Sequence, residues 1–436
     1  MSTPPTTHEP EAPDRGLTAP DEPGLSLWRD RDFRRFWIGR GISGIGDEIS
    51  ALALPLIAVL ILDASPTQMG VINALGYLPF LLVGLQAGVW VDRMRRRRIL
   101  IWSDLVQALL LLSIPAAGFA GLLRIEQLYV LALVIGAINV VASVAGQSFL
   151  PSLVDRRQLP AANSRLEATY SATGIVGPSL AGALVQVLGA PMAVLVNSIT
   201  LVTSAGLMVS MRTPEPPPLR DAERQGMRSQ IAEGLRIVLR HRLLRPVMSC
   251  GMTHNFFRRM FEALFVLYLV GEIGVSPALL GLIIAAGGPG ALLGALAAVP
   301  VAKRIGVGPT IVGAQVLTGV ACLAAPLAGG PIWVAAIVLA GGEFLLGLAR
   351  TLFNITQLSL RQAITPDRLQ GRVNATMRFM MWGVTPVGAL AGGLLGTAIG
   401  LRPTLLLAAV GVLLAFGWVA LSPVARLREQ PEPVLG

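Results

Sequence analysis

The sequence predicts an all-α membrane protein, with about twelve transmembrane helices in two pseudo-symmetric six-helix bundles. Three observations carry this reading. Charged residues are scarce, apolar runs of bilayer length follow one another along the chain, and the second half repeats the first at a shift of 210–211 residues.

Apolar residues make up 53% of the 436-residue chain and charged residues only 14%. A soluble domain usually carries about 25% charge, so most of this surface is not built to meet water. Two cysteines, Cys250 and Cys322, lie in apolar stretches, and with three histidines they leave little for metal chemistry or a disulfide framework. No cofactor or metal site is expected. The net charge of +10 does not point to nucleic acid, because the basic residues sit in short loops between apolar runs.

Residues 1–27 contain six prolines and no apolar core behind a basic start, so they read as a disordered tail and not as a signal peptide. Runs long enough to cross the hydrocarbon core, about 20 residues, follow near 36–62, 68–91, 99–119, 126–149, 167–188 and 190–210. A second set lies near 246–271, 277–301, 309–327, 331–356, 375–398 and 403–421. The first six form an N-terminal bundle over 28–210 and the last six a C-terminal bundle over 246–422, with a tail at 423–436. Between the bundles, residues 211–245 form a linker. There Ile231, Leu235, Val238, Leu239 and Leu243 recur at helical spacing among Arg228, Arg236, Arg240 and Arg242. This is a basic amphipathic helix that lies on the lipid surface or packs on the bundle.

Loops on one side carry Arg93, Arg95–Arg98, Arg156, Arg157, Arg165, Lys303, Arg304, Arg361, Arg368 and Arg372; the opposite loops carry only Arg124 and Arg402. The positive-inside rule then places both termini in the cytoplasm of a multi-pass inner-membrane protein. The repeat puts Gly84 to Arg93 on Gly294 to Lys303 and, one residue further, Asn163 on Asn374, Gly177 on Gly388 and Gly182 on Gly393. Parallel repeats of this kind place a binding site at their interface near the midplane.

Charges at bilayer depth cost about 2.5–3.5 kcal/mol each on insertion scales, so they face a cavity or a partner. Arg40 and Asp47 share a face of the first helix. Arg258 and Arg259 are both within helical reach of Glu262, and Glu343 lies two turns from Arg350. A carboxylate that alternates between apolar and arginine-lined surroundings can load and release a proton. Asp47, Glu262 and Glu343 are the candidates for that role, with Arg40, Arg258, Arg259 and Arg350 tuning them; a structural ion pair is the competing reading for Glu262. Asp104 and Arg378 lie nearer the interface, where snorkelling is expected. Phe256, Phe257, Phe261, Tyr268, Met380, Met381 and Trp382 offer adaptable apolar surface for a pocket or for packing.

Gly88-Val-Trp-Val-Asp92-Arg93-Met-Arg-Arg96-Arg97 resembles the loop signature after the second helix of major facilitator transporters, with Arg95 where a second glycine is usual. The resemblance implies that Gly88, Asp92, Arg93, Arg96 and Arg97 form a cytoplasmic latch between the bundles; the second copy has Ala302 in place of the aspartate. Ser43–Asp47, Leu150–Val154, Leu159–Asn163 and Gly177–Gly182 look like the branch containing the enterobactin exporter and macrolide efflux proteins. Gly174, Gly177, Pro178 and Gly182 resemble the glycine-proline motif of drug-proton antiporters, where small residues let helices approach.

The family resemblance implies a monomeric secondary transporter that exports a small amphipathic molecule in exchange for protons. Import, lysolipid flipping and a non-transporting sensor on the same fold are the alternatives. The chain has no Gly-Lys pair for a phosphate loop and no H-E-x-x-H, so neither an ATP-driven pump nor a membrane enzyme is expected.

Overall fold

Polar residues at the ends of most apolar runs join the helix, so most runs become helices longer than the greasy stretch; the run over 190–210 does not. The structure is a computed structural model that describes residues 27–213, 215 and 235–429; the side chains of Leu85, Val89, Asp92, Asp367 and Arg368 lie outside that description. Twelve long helical stretches follow in order. In the first half they are α1 (Arg31–Leu60), α2 (Pro66–Arg93), α3 (Arg96–Phe119), α4 (Ile125–Leu153), α5 (Leu159–Leu188) and α6 (Ala190–Val209). In the second they are α7 (Leu244–Gly271), α8 (Pro277–Ile305), α9 (Val307–Leu327), α10 (Ile332–Ile364), α11 (Leu369–Ile399) and α12 (Leu401–Ala420).

Eleven of the described helices are long and apolar enough to cross a membrane. The remaining one, α7, has 28 residues, but its bilayer-length stretches each hold at least three of Arg245, Arg258, Arg259 and Glu262. That helix is the most charged wall of the site described below.

The repeat is visible in the caps. Ser65 and Ser276 sit 211 residues apart and cap α2 and α8, each followed by a proline at the first helical position. Ser65 forms a full capping box, accepting from Gln68 N at 3.3 Å while its own amide donates to Gln68 Oε1 at 2.8 Å. Gly189 and Gly400, again 211 apart, stand at φ 82° and 89° between α5 and α6 and between α11 and α12. A side chain with a Cβ is strained there, and glycine is not.

Prolines set the breaks. In α11 the helix is interrupted at Val384, because Pro386 cannot donate to the carbonyl of Trp382. Thr385 Oγ1 donates to that carbonyl instead, at 2.6 Å. A similar interruption at Ala286 in α8 precedes Pro289.

Each half uses the same packing scheme. In the first, α1 lies against α5 and α6, α2 against α4, and α3 against α6; in the second, α7 lies against α11 and α12, α8 against α10, and α9 against α12. The halves meet mainly where α2 faces α11 and α5 faces α8. The segment that leaves each half folds back on the start of that half's third helix. Glu215 accepts from the amides of Arg96 and, at 3.3 Å, Arg97. At the repeat-related positions, Gly308 N donates to the carbonyl of Leu427 at 2.8 Å and Val307 N to that of Arg428 at 3.4 Å. Asp32 further ties down the exit from α6 by accepting from Arg212 N, Thr213 N and Thr213 Oγ1 at 2.6–2.8 Å.

Residues 1–26 of the expected N-terminal tail, residues 430–436 of the expected C-terminal tail (423–436) and most of the expected linker lie outside the described residues. Leu27, read as the last residue of the N-terminal tail, is fully buried against Phe33 and its neighbours. Of the linker helix, residues 235–240 are described, and Val238 is fully buried with Leu244, Val247 and Val424. This described part packs on the second bundle.

Candidate functional site

Short-side-chain positions decide where the halves touch. Gly70 on α2 meets Gly393 on α11: a Cβ on Gly70 would lie 2.8 Å from the Gly393 Cα. Gly182 on α5 meets Gly281 on α8 in the same manner, at 3.0 Å. The repeat exchanges these two crossings, since Gly70 maps to Gly281 and Gly182 to Gly393 at the same shift of 211. Thr67 Oγ1 and Thr397 Oγ1 add a hydrogen bond of 2.8 Å beside the first crossing. All of this lies near the end opposite the arginine-rich loops. Toward the arginine-rich end the contact opens. Side chains added at Gly88 or Gly174 would meet nothing within 4 Å. A gap of about 280 Å³ there is lined by Phe80, Gly84 and Val140 of the first half and by Asn374 and Arg378 of the second.

A larger cavity of about 420 Å³ lies in the second half, between mid-depth and the arginine-rich end. Its walls come from α7, α9, α10 and α11. That volume suits a small organic ligand. Glu262 lines it and is held by two arginines of its own helix: Arg258 Nε at 3.0 Å from Oε1, and Arg259 Nη1 on Oε2. Arg259 also stacks over the ring of Tyr77 from the other half, 4.0 Å from its centroid, and nearer the cavity over Trp382 at 5.9 Å. Arg258 reaches Cys322 Sγ at 4.0 Å and lies over Phe261. His254 Nδ1 meets Gln315 Nε2 at 3.1 Å, and the same amide donates to the carbonyl of Val412 at 2.8 Å. Asn255 Nδ2 donates to the carbonyl of Met381 at 2.7 Å and so fixes α7 to the bent α11.

Glu343 is separate from this triad. It lines a small adjoining pocket with Arg258 and Cys322 and has no ion-pair partner within 4 Å among the described residues. Arg350, two turns along α10, is exposed on the cavity wall.

In the first half the charges are arranged differently. Arg40 donates from Nε and Nη2 to the hydroxyl of Tyr170, both at 3.2 Å, and lies 5.8 Å from its ring centroid. Asp47 is exposed and forms no ion pair among the described residues. The neighbouring Glu48 packs on Gly177, where a Cβ would lie 2.7 Å from its Cγ. Asp104, expected near the interface, is buried, with Oδ2 unpartnered. A buried network that the sequence reading passed over joins α1 to α6: Asn197 Nδ2 donates to Ser50 Oγ at 2.6 Å, and Thr200 Oγ1 donates to Asn197 Oδ1 at 3.0 Å.

Several expectations shift in detail. Arg378, expected to snorkel, lies over Phe80 of the opposite half and lines the cavity. Of the apolar candidates, Met381 and Trp382 line the cavity, whereas Phe261 and Tyr268 are buried in packing. Of the expected latch, Arg97 binds within its own half, to the carbonyls of Met208 at 2.8 Å and Val209 at 2.7 Å. Arg93 is exposed at the end of α2, and the side chain of Asp92 lies outside the described residues. Tyr77, Tyr170, Gln357 and Arg361 were not singled out as site residues. Gln357 and Arg361 share the helical spacing of Arg350 on α10, whereas no local spacing marks Tyr77 and Tyr170, whose arginine partners lie on other helices.

Comparison with known proteins agrees with this architecture. The chain is 28% identical over 395 residues to the multidrug efflux pump Tap of Mycolicibacterium fortuitum, covering 89% of this chain and 94% of that one. It is 27% identical over 378 residues to the multidrug efflux pump Tap of Mycobacterium tuberculosis, covering 85% and 88%. Among solved structures, a bacterial homologue of the iron transporter ferroportin in the inward-facing state superposes with a TM-score of 0.69 at 18% identity, over 89% of this chain and 98% of that one. The nucleoside transporter NupG superposes at 0.66 and 14% identity, over 89% and 98%. The family described as transmembrane secretion effector matches residues 23–432. With two repeat-related bundles that meet at paired glycine crossings, this chain belongs to that family of major facilitator transporters.

Proposed function

We propose that the protein exports a small amphipathic molecule from the cytoplasm by alternating access, driven by protons. One observation carries the reading. The two halves are pressed together at one end by repeat-related glycine crossings, Gly70 on Gly393 and Gly182 on Gly281, while the cavity and the inter-half gap lie toward the other end. Small residues at such crossings allow close backbone approach and release without leaving polar groups stranded. The arginine-rich loops support an open end that faces the cytoplasm, with both chain termini on that side of the inner membrane. The identity to multidrug efflux pumps supports export of drug-like or natural-product molecules.

A proton carrier must exchange surroundings as the halves rock. Glu262 is committed to two arginines, whereas Asp47 and Glu343 form no ion pair among the described residues. That contrast favours Asp47 and Glu343 as the coupling carboxylates, with Glu262 a structural anchor for Arg258 and Arg259. The latch around Asp92 and Arg93 closes in the opposite state, when the arginine-rich ends meet.

The test is flux. A fluorescent xanthene dye is supplied outside inside-out vesicles that contain the purified protein, with and without an imposed pH gradient. Export predicts gradient-dependent accumulation in these vesicles, and Asp47→Asn removes the gradient dependence while leaving dye exchange intact. Accumulation only in right-side-out vesicles would establish import. Flux of short-chain lysolipid alone would establish a flippase. No gradient-dependent flux in either orientation would leave a sensor.

A further inference from the structure

The cavity wall carries five arginines, Arg258, Arg259, Arg350, Arg361 and Arg378, against a single carboxylate, Glu262. Glu262 is already engaged by Arg258 and Arg259. The nearest further acid, Glu343, stands on the other side of Arg258 in the adjoining pocket. Among the described residues, neither Arg350, Arg361 nor Arg378 has a carboxylate within ion-pair distance, and Arg378 rests on the ring of Phe80.

Two of these three belong to one stripe. Arg350, Asn354, Gln357 and Arg361 follow at spacings of four, three and four on α10, so they project from one face, over about 16 Å of helix. The stripe is a built surface. Gln357 is only 8% exposed and its Oε1 has no partner, and the Nε of Arg361 is likewise buried and unpartnered. Guanidinium groups stay charged at any working pH. Arg350 and Arg378 are exposed on the cavity wall and Arg361 is partly buried there, so three guanidinium groups with no carboxylate in reach make that wall attractive to an anion that enters the cavity.

We propose that this cavity takes an amphipathic organic anion, with its carboxylate, phosphate or sulfonate between Arg350 and Arg361. Planar guanidinium donors match the oxyanion geometry. Gln357 offers an acceptor to a neighbouring N–H or O–H of the same ligand. Phe353, Met381 and Trp382 line the cavity beside the stripe and receive the apolar part. This reading rests on the cavity of the export proposal and names its substrate class: the exported solute is anionic and neither cationic nor neutral.

The experiment is equilibrium binding, which does not depend on flux. Fluorescein, an anion, and rhodamine 123, a cation on the same xanthene frame, are titrated by fluorescence polarisation into the purified full-length protein in neutral nanodiscs. The expected result is fluorescein binding at least about tenfold tighter than rhodamine 123. It weakens about tenfold or more in Arg350→Gln and in Arg361→Gln, largely returns in Arg350→Lys, and falls with added salt. Arg350→Lys also guards against simple misfolding, because it keeps the charge that the wall is built around. Rhodamine 123 binding as tightly as fluorescein, no fluorescein binding, or equal loss of both dyes in the glutamine variants would overturn the proposal. So would displacement of fluorescein by an equal concentration of short-chain phosphatidylglycerol, which would assign the arginines to a lipid headgroup. The two readings fail separately. Fluorescein binding without gradient-driven flux would sink export and keep the anion site. Gradient-driven export of rhodamine 123 by a protein that does not bind fluorescein would do the reverse.

Discussion

The two halves share a backbone plan and differ in what their intramembrane charges do. In the second half, one carboxylate and two arginines form a helix-local triad, with Glu262 between Arg258 and Arg259, on the wall of a cavity rich in further arginines. In the first half, Arg40 leans on a neutral hydroxyl, that of Tyr170, and the acids Asp47 and Asp104 have no ion-pair partner among the described residues. Even the shared device that caps each third helix differs. A carboxylate, Glu215, caps α3, and two backbone carbonyls cap α9. Duplication conserved the geometry of turns and crossings, which depends on backbone and small residues, and left the polar chemistry free to diverge.

The contrast is sharpest at the triad. Glu262→Gln leaves Arg258 and Arg259 facing each other without a counter-ion. It is expected to destabilise the protein by about 3 kcal/mol, read as a lowered midpoint of thermal unfolding in detergent. A change at a charged residue of the other half, Arg40→Gln, loses hydrogen bonds to a neutral hydroxyl and should cost about 1 kcal/mol. Equal losses would erase the distinction between the halves.

The closed end tests the symmetry. Leucine at Gly182 or at Gly393 places a side chain against partner backbone, and each should disfavour closure by about 2 kcal/mol. The measured effect is a fall in flux of about thirtyfold, similar for both variants, because the repeat exchanges the two positions. Gly174→Ala, where there is open space, is the control and should leave flux within about twofold. A large loss at Gly174, or loss at only one crossing, would break the symmetric account. Crosslinking gives a second reading of the same contact: Thr67→Cys with Thr397→Cys should join the halves, and the bond should stop transport until it is reduced.

The smallest effect belongs to the cap. Glu215→Gln keeps an acceptor at the start of α3 but removes its charge, for an expected loss of about 0.5–1 kcal/mol in thermal stability. No single side chain in the second half can reproduce that loss, since backbone carbonyls serve there.

Local patterning determined much of this molecule. Bilayer-length apolar runs set the number and order of helices, and arginines gathered in alternate loops set which ends lie together. A pairing within one helix was also legible: positions 258, 259 and 262 are three and four apart, and helical geometry brings them together before any packing is known. The repeat likewise marked Gly182 and Gly393 as equivalent, but it could not show that each crosses a different glycine, Gly281 and Gly70. Tertiary structure alone decided that, as it decided that Tyr170 takes Arg40, that Tyr77 covers Arg259, and that Arg361 and Arg378 turn into the cavity. The physical reason is range. Periodicity records which residues share a face of their own helix, whereas contacts between helices depend on crossing angle, depth and the breaks at Pro289 and Pro386. Those are settled only when all the helices pack at once.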